Sequence, residues 1–455
     1  MVASKRVIAF LAPEQRNVTF MQALPGFRDF LPDDCATRNY IFAKWREVAR
    51  SYGFIEWDGP ILEPTELYKK KSGAEIVDQL FNFTDKGERE VALRPELTPT
   101  LARVIAAHER EFKKPLKWFS IGRFFRHEKQ QRGRLREHFQ LNCDIVGEVS
   151  PSADGELIAV CIDVLRSFGL TAADFVIRIS SRTAWESFLQ EKRGLQGYAS
   201  GELQHLLSVV DKMERQPDVK TNEQLARFHV TTVDVRQWIA EWNQKIFEKN
   251  SVAGNTALAL LHTTLHEYLL PRELLDYIAV DFGIVRGLAY YTDIVFEAFD
   301  RSGKLRALAG GGRYDGLVSQ LSDGASKMPA VGFAMGDVVL GELINETARA
   351  REKMQQAIAA EKKIDIYIVM AKEERRSDAL AHVQQLRDRG YRVDYPLTPE
   401  KVAKQFQTAE QLGARFAILF GDEWPQVKMK DMASGEQQLV SSKDLVSRIG
   451  SELPR

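Results

Sequence analysis

The chain has 455 residues, 44% of them hydrophobic and 28% charged, and its 63 basic side chains balance 63 acidic ones. A chain of this length exceeds one hydrophobic core, so we predict about two to four domains. Zero net charge excludes nucleic-acid binding through overall charge, and such a partner would need a local basic patch. No segment reaches the roughly 20 apolar residues that cross a membrane. Three cysteines (Cys35, Cys143 and Cys161) without metal-binding spacing indicate reduced thiols, a cytoplasmic location and no metal site.

The first half of the chain predicts short helices that alternate with antiparallel strands. Residues 1–20 are an extension without a clear pattern, and a helix is expected from Pro32, where a proline and two aspartates favour a helix start. The next elements are a hairpin with its turn at Asp85–Gly87, a helix opened by Thr98 and Pro99, and two long strands. This order indicates a hairpin-rich, antiparallel domain.

The second half of the chain changes character twice. Residues 191–270 have helical periodicity with few strand signals, which predicts an inserted helical domain. Antiparallel strands resume in residues 271–345, where the segment LAGGGRYDGLV predicts a glycine-rich turn. Residues 346–361 predict a charged helical connector, and residues 362–455 follow the order β-α-β-α-β of a separate small α/β domain. Residues 21–190 would fold together with residues 271–345 as one domain.

One stretch, RLREHFQLNCDI at Arg134–Ile145, alternates polar and apolar residues, which is typical of a half-buried strand. Its polar side carries Arg, His, Gln, Asn and Asp, whose side chains form directional hydrogen bonds, and Glu137 is the one exception on the apolar side. The alternation predicts His138 on the polar face and Phe139 in the core. The segment before it is rich in arginine and histidine, which suits phosphate contact. A solvated charged hairpin is the alternative interpretation.

Three further segments have both a functional and a structural interpretation. Glu96, just before a helix start, is either an acceptor for a substrate ammonium group or a helix-capping carboxylate. Tyr290 and Tyr291 are either partners for an imidazole or core aromatics. The three glycines before Arg313 suit a backbone that passes close to a ligand, but they lack the order of a Walker loop or a dinucleotide-binding loop.

Together these segments resemble the histidyl-tRNA synthetases, a family of class II aminoacyl-tRNA synthetases, from about Leu24 to the end of the chain. The matching segments are, in order, LPGFRDFLP, PILEPTELY, ALRPELTPTLAR, FRHEKQQRGRLREHFQLNCDIVG, VRGLAYYT, AGGGRYDGLV and PAVGFAMG. The resemblance implies an α+β fold, with a class II antiparallel sheet core flanked by helices, a helical insertion and a C-terminal α/β anticodon-binding domain. It also implies ligation of histidine to tRNA(His) with ATP and Mg²⁺, and a homodimer whose interface includes the segment at Pro60.

The resemblance implies roles for individual residues as well. Histidine would be bound by Glu96, Thr98, Gln140, Asp144, Tyr290, Tyr291 and Tyr314. ATP would be bound by Arg126, Glu128, His138 and Arg286, with Arg126 and Arg286 as the catalytic cations at the α-phosphate. Within the histidine site, Glu96, Thr98 and Gln140 would hold the α-amino group. Asp144 and Tyr291 would bracket the two imidazole nitrogens.

The chain departs from the family pattern at three places. Ala289 stands where the usual motif RGLDYY has an acid. His138 stands where a phenylalanine usually stacks on adenine. The segment GFAMGDVVLGEL has Val338 and Val339 where class II motif 3 has Glu-Arg, so the arginine that clamps the distal phosphates of ATP is missing.

The missing arginine leaves two alternatives open. In an active enzyme, another basic residue, Arg306 or Arg313, would take over the phosphate clamp. Alternatively, the chain would be a non-catalytic regulator that senses histidine or tRNA, such as the regulatory subunit of ATP phosphoribosyltransferase. The intact histidine-contacting positions and the C-terminal domain favour the enzyme.

Overall fold

The structure, a computed structural model, describes residues 21–72, 74–128, 133–193, 201–247, 256–285 and 291–454. The chain forms two compact units, Met1–Ala348 and Arg349–Arg455. The predicted extension, residues 1–20, lies outside the described residues. Within the described ranges, no helix is both long enough and apolar enough to cross a membrane.

The first helix of the first unit, α1, begins at Pro32, as predicted. Asp33 and Asp34 lie in its first turn, where negative charge is favourable. The helices of this unit are α1 (Pro32–Ser51), α2 (Thr65–Ser72), α3 (Thr98–His108), α4 (Pro151–Ser167), α5 (Arg182–Arg193), α6 (Glu202–Val210), α7 (Asp218–Leu225), α8 (Thr232–Lys245), α9 (Thr256–Thr263), α10 (Leu317–Leu321) and α11 (Asp337–Glu346). A π-helical turn, Thr264–Leu269, follows α9. The helix α12 (Ala348–Lys362) begins at the boundary between the units.

The strands of the first unit form one large sheet and one small sheet. They are β1 (Ile55–Glu56), β2 (Leu62–Pro64), β3 (Phe81–Thr84), β4 (Glu90–Leu93), β5 (Leu116–Phe125), β6 (Glu137–Val146), β7 (Phe175–Ser181), β8 (Ile278–Val280), β9 (Ile294–Asp300), β10 (Ala309–Arg313) and β11 (Ala330–Gly336). The large sheet has eight strands in the order β1-β5-β6-β11-β10-β9-β7-β8, and the small one has the order β2-β4-β3. Neighbouring strands are antiparallel except for the outer pairs β1–β5 and β7–β8.

The strand that follows the helical segment, β8, is parallel to β7, whereas the sequence predicted antiparallel strands at this point. The chain leaves the sheet after β7, passes through α5–α9 and returns to the outer edge of the same strand. A long crossover of this kind gives parallel pairing. The next strand, β9, pairs antiparallel with β7 and β10, as predicted.

The glycine-rich segment is a strand, so its prediction as a turn is wrong. It forms β10, which lies between β9 and β11 inside the sheet. A Cβ atom on Gly311 would overlap the carbonyl oxygen of Gly332 on β11, so glycine is needed where these two strands approach each other. Glycine is generally depleted in strands, and this made the pattern resemble a turn.

The helices of the predicted insertion pack around a group of aromatic rings. The ring of Trp238 in α8 lies 4.8 Å from that of Trp185 in α5 and 5.2 Å from that of Phe282, measured between centroids. The indole N–H of Trp185 also donates to the carbonyl oxygen of Phe282. At the start of α8, the side chains of Thr231 and Asp234 accept hydrogen bonds from each other's backbone N–H groups, which forms a capping box. The predicted helical insertion is therefore present.

The second unit is a small α/β domain, and its predicted order β-α-β-α-β is confirmed. Its elements are β12 (Ile366–Met370), α13 (Arg376–Asp388), β13 (Val393–Asp394), α14 (Val402–Gln411), β14 (Phe416–Phe420), β15 (Gln426–Asp431), β16 (Gln437–Ser441) and α15 (Leu445–Glu452). The sheet has the order β13-β12-β14-β15-β16, in which the first three strands are parallel and the last two extend the sheet antiparallel. Ile366, Ile368 and Ile418 are fully buried in its core.

Candidate active site

A cleft of about 860 Å³ lies over the large sheet. Its walls come from β6, β9, β10 and β11 and from the first turns of α3 and α11. Among the residues that the sequence assigned to histidine or ATP, the cleft brings together Glu96, Thr98, Arg126, His138, Gln140, Asp144, Tyr291 and Tyr314. The assigned residues Arg286 and Tyr290 lie outside the described residues, as does Ala289.

The strand β6 separates the cleft from the protein core, as its alternation predicted. His138 lines the cleft, whereas Phe139 is buried on the other side of the strand, with its ring 5.1 Å from that of Phe42. The exception to the alternation, Glu137, is buried with a carboxylate oxygen 3.0 Å from the guanidinium of Arg123. This ion pair offsets the burial of a charge on the apolar side of the strand.

Asp144 forms a polar floor in the cleft. It is 4% exposed and accepts a hydrogen bond of 2.5 Å from the hydroxyl group of Tyr314. Gly332 of β11 stands opposite Asp144, and a Cβ atom there would overlap the carboxylate. Burial raises the pKa of the Asp144 carboxyl to about 7, although the hydrogen bond from Tyr314 lowers it. The carboxyl group therefore changes its charge near neutral pH.

Glu96 binds a buried lysine and does not cap α3, so the capping interpretation is wrong. The N-cap residue of α3 is Leu97. The ammonium nitrogen of Lys71 lies 2.5 Å from a carboxylate oxygen of Glu96, and 1% of the lysine side chain is exposed. Burial lowers the pKa of Lys71, whereas Glu96 raises it. Lys71 is not predicted from the sequence, because the run of three lysines at 69–71 is typical of a solvated helix face.

Two buried amide atoms on β6 belong to residues that line the cleft and have no hydrogen-bond partner among the described residues. They are Oε1 of Gln140 and Nδ2 of Asn142. Buried polar atoms are normally paired, so these atoms are suited to bind groups of a ligand. Asn142 has no role among those predicted from the sequence. Its position between Gln140 and Asp144 on the polar side of the strand was the available signal.

Three arginines, Arg126, Arg134 and Arg306, form the cationic part of the cleft wall. The Nε of Arg126 donates to the carbonyl oxygen of Pro95 at 3.1 Å, and the Nε of Arg134 lies 2.6 Å from a carboxylate oxygen of Glu128. Burial lowers the pKa of Arg134, Glu128 raises it, and the charges of Arg306 and Arg126 lower it. The charge of Arg134 is therefore close enough to those of Arg306 and Arg126 for repulsion.

The adenine-binding residues predicted by the resemblance differ in position. His138 lines the cleft, and burial lowers its pKa to about 3, with the charges of Arg126 and two further arginines acting in the same direction. Its ring is therefore neutral at physiological pH. Glu128 is not among the residues that line the cleft, and its carboxylate pairs with Arg134. Contact between Glu128 and adenine stays a prediction.

Arg313 belongs to the core, so its expected role as a phosphate clamp is wrong. It is 2% exposed, and its guanidinium pairs with the carboxylate of Asp154 in α4 and donates to the carbonyl oxygens of Glu148 and Ser150. Burial raises the pKa of Asp154 to about 6, and the hydrogen bond from Arg313 lowers it. Of the two arginines proposed for the clamp, Arg306 is the one that lines the cleft.

Residues 26–337 match the sequence model of a family described as histidyl-tRNA synthetase. The chain belongs to the histidyl-tRNA synthetase family. Residues 365–452 match the anticodon binding domain, so the second unit of this histidyl-tRNA synthetase family member is the C-terminal domain that the sequence predicted. The predicted α+β fold is confirmed.

Known members of the histidyl-tRNA synthetase family align with almost the whole chain. The histidine–tRNA ligase of Opitutus terrae is 43% identical over 442 residues, which cover 95% of this chain and 96% of that protein. The chloroplastic/mitochondrial histidine–tRNA ligase of Arabidopsis thaliana is 37% identical over 427 residues, covering 92% of this chain and 85% of that protein. The crystal structure of apo histidyl-tRNA synthetase from S. aureus matches with a TM-score of 0.69 at 25% identity, covering 94% of this chain and 100% of that one.

Proposed function

We propose that the chain is a histidine–tRNA ligase, which activates histidine with ATP to histidyl-adenylate and transfers the histidyl group to the 3′ end of tRNA(His). One observation carries this proposal: a single cleft contains the buried carboxylate of Asp144, the acceptor groups of Glu96 and Gln140, and the cation of Arg126. These groups complement an imidazole, an ammonium group and reacting anions. The similarity to histidine–tRNA ligases over nearly the whole chain supports the same activity.

The first step joins two anions, the carboxylate of histidine and the α-phosphate of ATP. A carboxylate oxygen attacks the α-phosphorus, the bond from that phosphorus to its bridging oxygen breaks, and pyrophosphate leaves with the bonding electrons. Fixed positive charges lower the barrier by neutralising the charge that develops on the phosphorus oxygens. Arg126, oriented by the carbonyl oxygen of Pro95, is suited to this role, and we assign the same role to Arg286. No protein nucleophile is required.

The second step transfers the histidyl group to tRNA. A hydroxyl oxygen of the terminal ribose attacks the carbonyl carbon of histidyl-adenylate and gives up its proton, the bond from that carbon to the phosphate oxygen breaks, and AMP leaves with the bonding electrons. The second unit is suited to hold the anticodon of the same tRNA, because its residues match the anticodon binding domain.

Specificity for histidine is assigned to the polar floor of the cleft. In its ionised form, Asp144 accepts a hydrogen bond from one imidazole nitrogen, and the hydroxyl of Tyr291 contacts the other. Tyr314 holds the Asp144 carboxylate in place through its 2.5 Å hydrogen bond. Another amino acid would leave these buried polar groups unpaired, which gives strong discrimination without an editing step. Tyr290 is assigned to the same pocket, and Thr98 to the α-amino group with Glu96 and Gln140.

The ATP site combines an aromatic ring with cations. We assign His138 to stacking on adenine and Glu128 to its exocyclic amine. In the described part of the chain, no group of three or more His, Cys, Asp or Glu side chains could hold a metal ion. Mg²⁺ commonly binds through one or two carboxylates together with substrate phosphates, and the carboxylate of Glu297 lines the cleft. Mg²⁺ held there would neutralise phosphate charge.

A homodimer in the cytoplasm is part of the proposal. Apolar side chains on either side of Pro60 in the sequence are exposed, with Ile55 at 66%, Ile61 at 44% and Leu62 at 41%. Exposed apolar residues grouped in this way often mark a protein interface. The three cysteines are free thiols, as expected in a reducing compartment.

Histidine-dependent exchange of pyrophosphate into ATP tests the proposal. Purified protein with ATP, Mg²⁺ and histidine should catalyse the exchange and should charge tRNA(His). Asp144→Asn should abolish the exchange, whereas Asp276→Asn, which changes an exposed carboxylate, should not. A wild-type protein that binds histidine without exchange would support the regulator alternative, which the intact acceptor groups of the cleft disfavour.

A further inference from the structure

The cleft has an apolar wall at the position where the family carries a phosphate-binding arginine. Val338 and Val339 lie in the first turn of α11, and both line the cleft. Neither side chain can bind the distal phosphates of ATP. Pyrophosphate must nevertheless leave as an anion, and its departure is favoured by a positive charge that contacts it.

Arg306 lies next to this apolar wall. It belongs to the connection between β9 and β10 and lines the same cleft. A Cβ atom on Gly133 would lie 3.2 Å from a methyl carbon of Val339 and 3.7 Å from the Cδ of Arg306. The two side chains therefore approach one point of the cleft wall. The aliphatic part of the Arg306 side chain therefore lies close to Val339, which occupies the position of the missing arginine.

The charges around Arg306 favour an anionic ligand. Arg126 and Arg134 line the same cleft, and the charges of Arg306 and Arg126 add to burial in lowering the pKa of Arg134. An anion between such groups relieves the repulsion. Arg306 is also exposed, so a ligand that enters the cleft can reach its side chain. The guanidinium of Arg313 is buried in an ion pair with the carboxylate of Asp154, so it does not line the cleft.

We propose that Arg306 binds the β- and γ-phosphates of ATP and replaces the missing motif 3 arginine. This inference rests on the proposed activation of histidine by ATP. Arg306 contacts the two phosphates in bound ATP and remains in contact with them as they leave as pyrophosphate. A guanidinium group suits this task because it donates two parallel hydrogen bonds to phosphate oxygens.

The test compares Arg306→Ala with Lys304→Ala, which removes an exposed positive charge from the same connection. In the exchange assay, Arg306→Ala should raise the KM for ATP and for pyrophosphate about 10- to 100-fold, which is the usual effect of losing a charged hydrogen bond. The KM for histidine should not change. Affinity for a non-hydrolysable histidyl-adenylate analogue, which lacks the distal phosphates, should also stay unchanged. Arg306→Lys should keep part of the ATP affinity.

A second test moves the arginine from position 306 to position 339, where the family carries it. In the double variant Arg306→Ala/Val339→Arg, an arginine at the family position should recover ATP affinity, which supports the proposal. An unchanged KM for ATP in Arg306→Ala would overturn it, as would an equal loss of affinity for the adenylate analogue.

The inference and the proposed function can fail separately. If the wild-type protein exchanges pyrophosphate and Arg306→Ala does so with unchanged ATP affinity, only the inference fails. If the wild-type protein does not exchange pyrophosphate, the proposed function fails. In that case, calorimetric binding of inorganic pyrophosphate to the wild type and to Arg306→Ala still decides whether Arg306 binds phosphate.

Discussion

The ammonium nitrogen of Lys71 lies 2.5 Å from a carboxylate oxygen of Glu96, and Glu96 lines the cleft where we propose that the amino group of the substrate binds. A carboxylate has two oxygens, and Lys71 binds one of them. The other oxygen can then accept a hydrogen bond from the α-ammonium group of histidine. We therefore expect Lys71 to be a positioning residue, which would act on the substrate through Glu96.

Replacement of Lys71 should weaken histidine binding specifically. In Lys71→Met, the Glu96 carboxylate loses the donor that fixes its orientation, so the KM for histidine should rise about tenfold, the usual scale of one charged hydrogen bond. The KM for ATP should be unchanged, and Lys71→Arg should restore part of the histidine affinity. The control is Lys70→Met, which removes a surface ion pair with Asp323. Equal histidine KM values in Lys71→Met and the wild type would refute the role of Lys71.

Replacement of Asp144 should stabilise the ligand-free protein while it abolishes activity. The pKa of Asp144 is about 7 in the folded state and near its ordinary value of 3.8 in the unfolded chain. Between these values the folded protein holds a proton that the unfolded chain has lost, so this group lowers stability as pH rises, and its effect levels off above pH 7. The amide side chain of the Asp144→Asn variant cannot ionise. The free energy of unfolding of this variant should therefore exceed that of the wild type by roughly 4 kcal/mol at pH 8.

Urea denaturation at pH 5 and at pH 8 measures this effect. The difference in the free energy of unfolding between Asp144→Asn and the wild type should be clearly smaller at pH 5. At that pH, Asp144 of the folded wild type is mostly protonated, so less of the cost of burying its charge is present. Asp276→Asn, at an exposed carboxylate, should show no such trend. A difference of the same size at both pH values would mean that Asp144 does not titrate in this range.

His138 should act as a neutral ring, and its aromatic character should matter more than its nitrogens. His138→Ala should raise the KM for ATP about tenfold, since stacking of a base on an aromatic ring contributes roughly 1–3 kcal/mol. His138→Phe should keep the wild-type KM. Because the pKa of His138 is about 3, the ATP affinities of the wild type and His138→Phe should follow the same pH profile from pH 5.5 to 8.5. Different pH profiles for the two proteins would contradict a neutral ring.

Removal of Arg313 should affect folding rather than ATP binding. Arg313→Ala leaves the Asp154 carboxylate buried without its cation, and the loss of one partner of a buried ion pair typically lowers the free energy of unfolding by about 3–5 kcal/mol. In the folded fraction at low temperature, the KM for ATP should be unchanged. Arg110→Ala, at an exposed position, is the matched control for stability. A raised KM for ATP in Arg313→Ala with normal stability would point to a phosphate-binding role after all.

The sequence predicted the site best where local periodicity decides which way a side chain points. In β6, the period of two placed His138 and Asp144 on the cleft side and Phe139 in the core, and the structure agrees. It failed where the outcome depends on partners far along the chain. In β10, glycine is needed at 311 because the backbone of Gly332 on β11 lies against it. The burial of Arg313 depends on its ion pair with Asp154, 159 residues away.

Lys71 illustrates a second limit. Lysine is rarely buried unless it is paired, so a sequence pattern gives no reason to place one inside the protein. The burial of Lys71 depends on its ion pair with Glu96. Glu96 lies in the connection between β4 and α3 and becomes a neighbour of Lys71 only after folding. The sequence therefore identified a carboxylate that lines the cleft, but not the lysine that pairs with it.

Gly332 shapes the cleft through the volume that it leaves unoccupied. A single methyl group there would collide with the Asp144 carboxylate and would add neither charge nor a hydrogen-bonding atom. Positions 144 and 332 therefore constrain each other. While an aspartate stands at 144, any residue other than glycine at 332 would collide with its carboxylate. A larger residue at 332 should therefore be accommodated only together with a change at 144, so the two positions are expected to change as a pair.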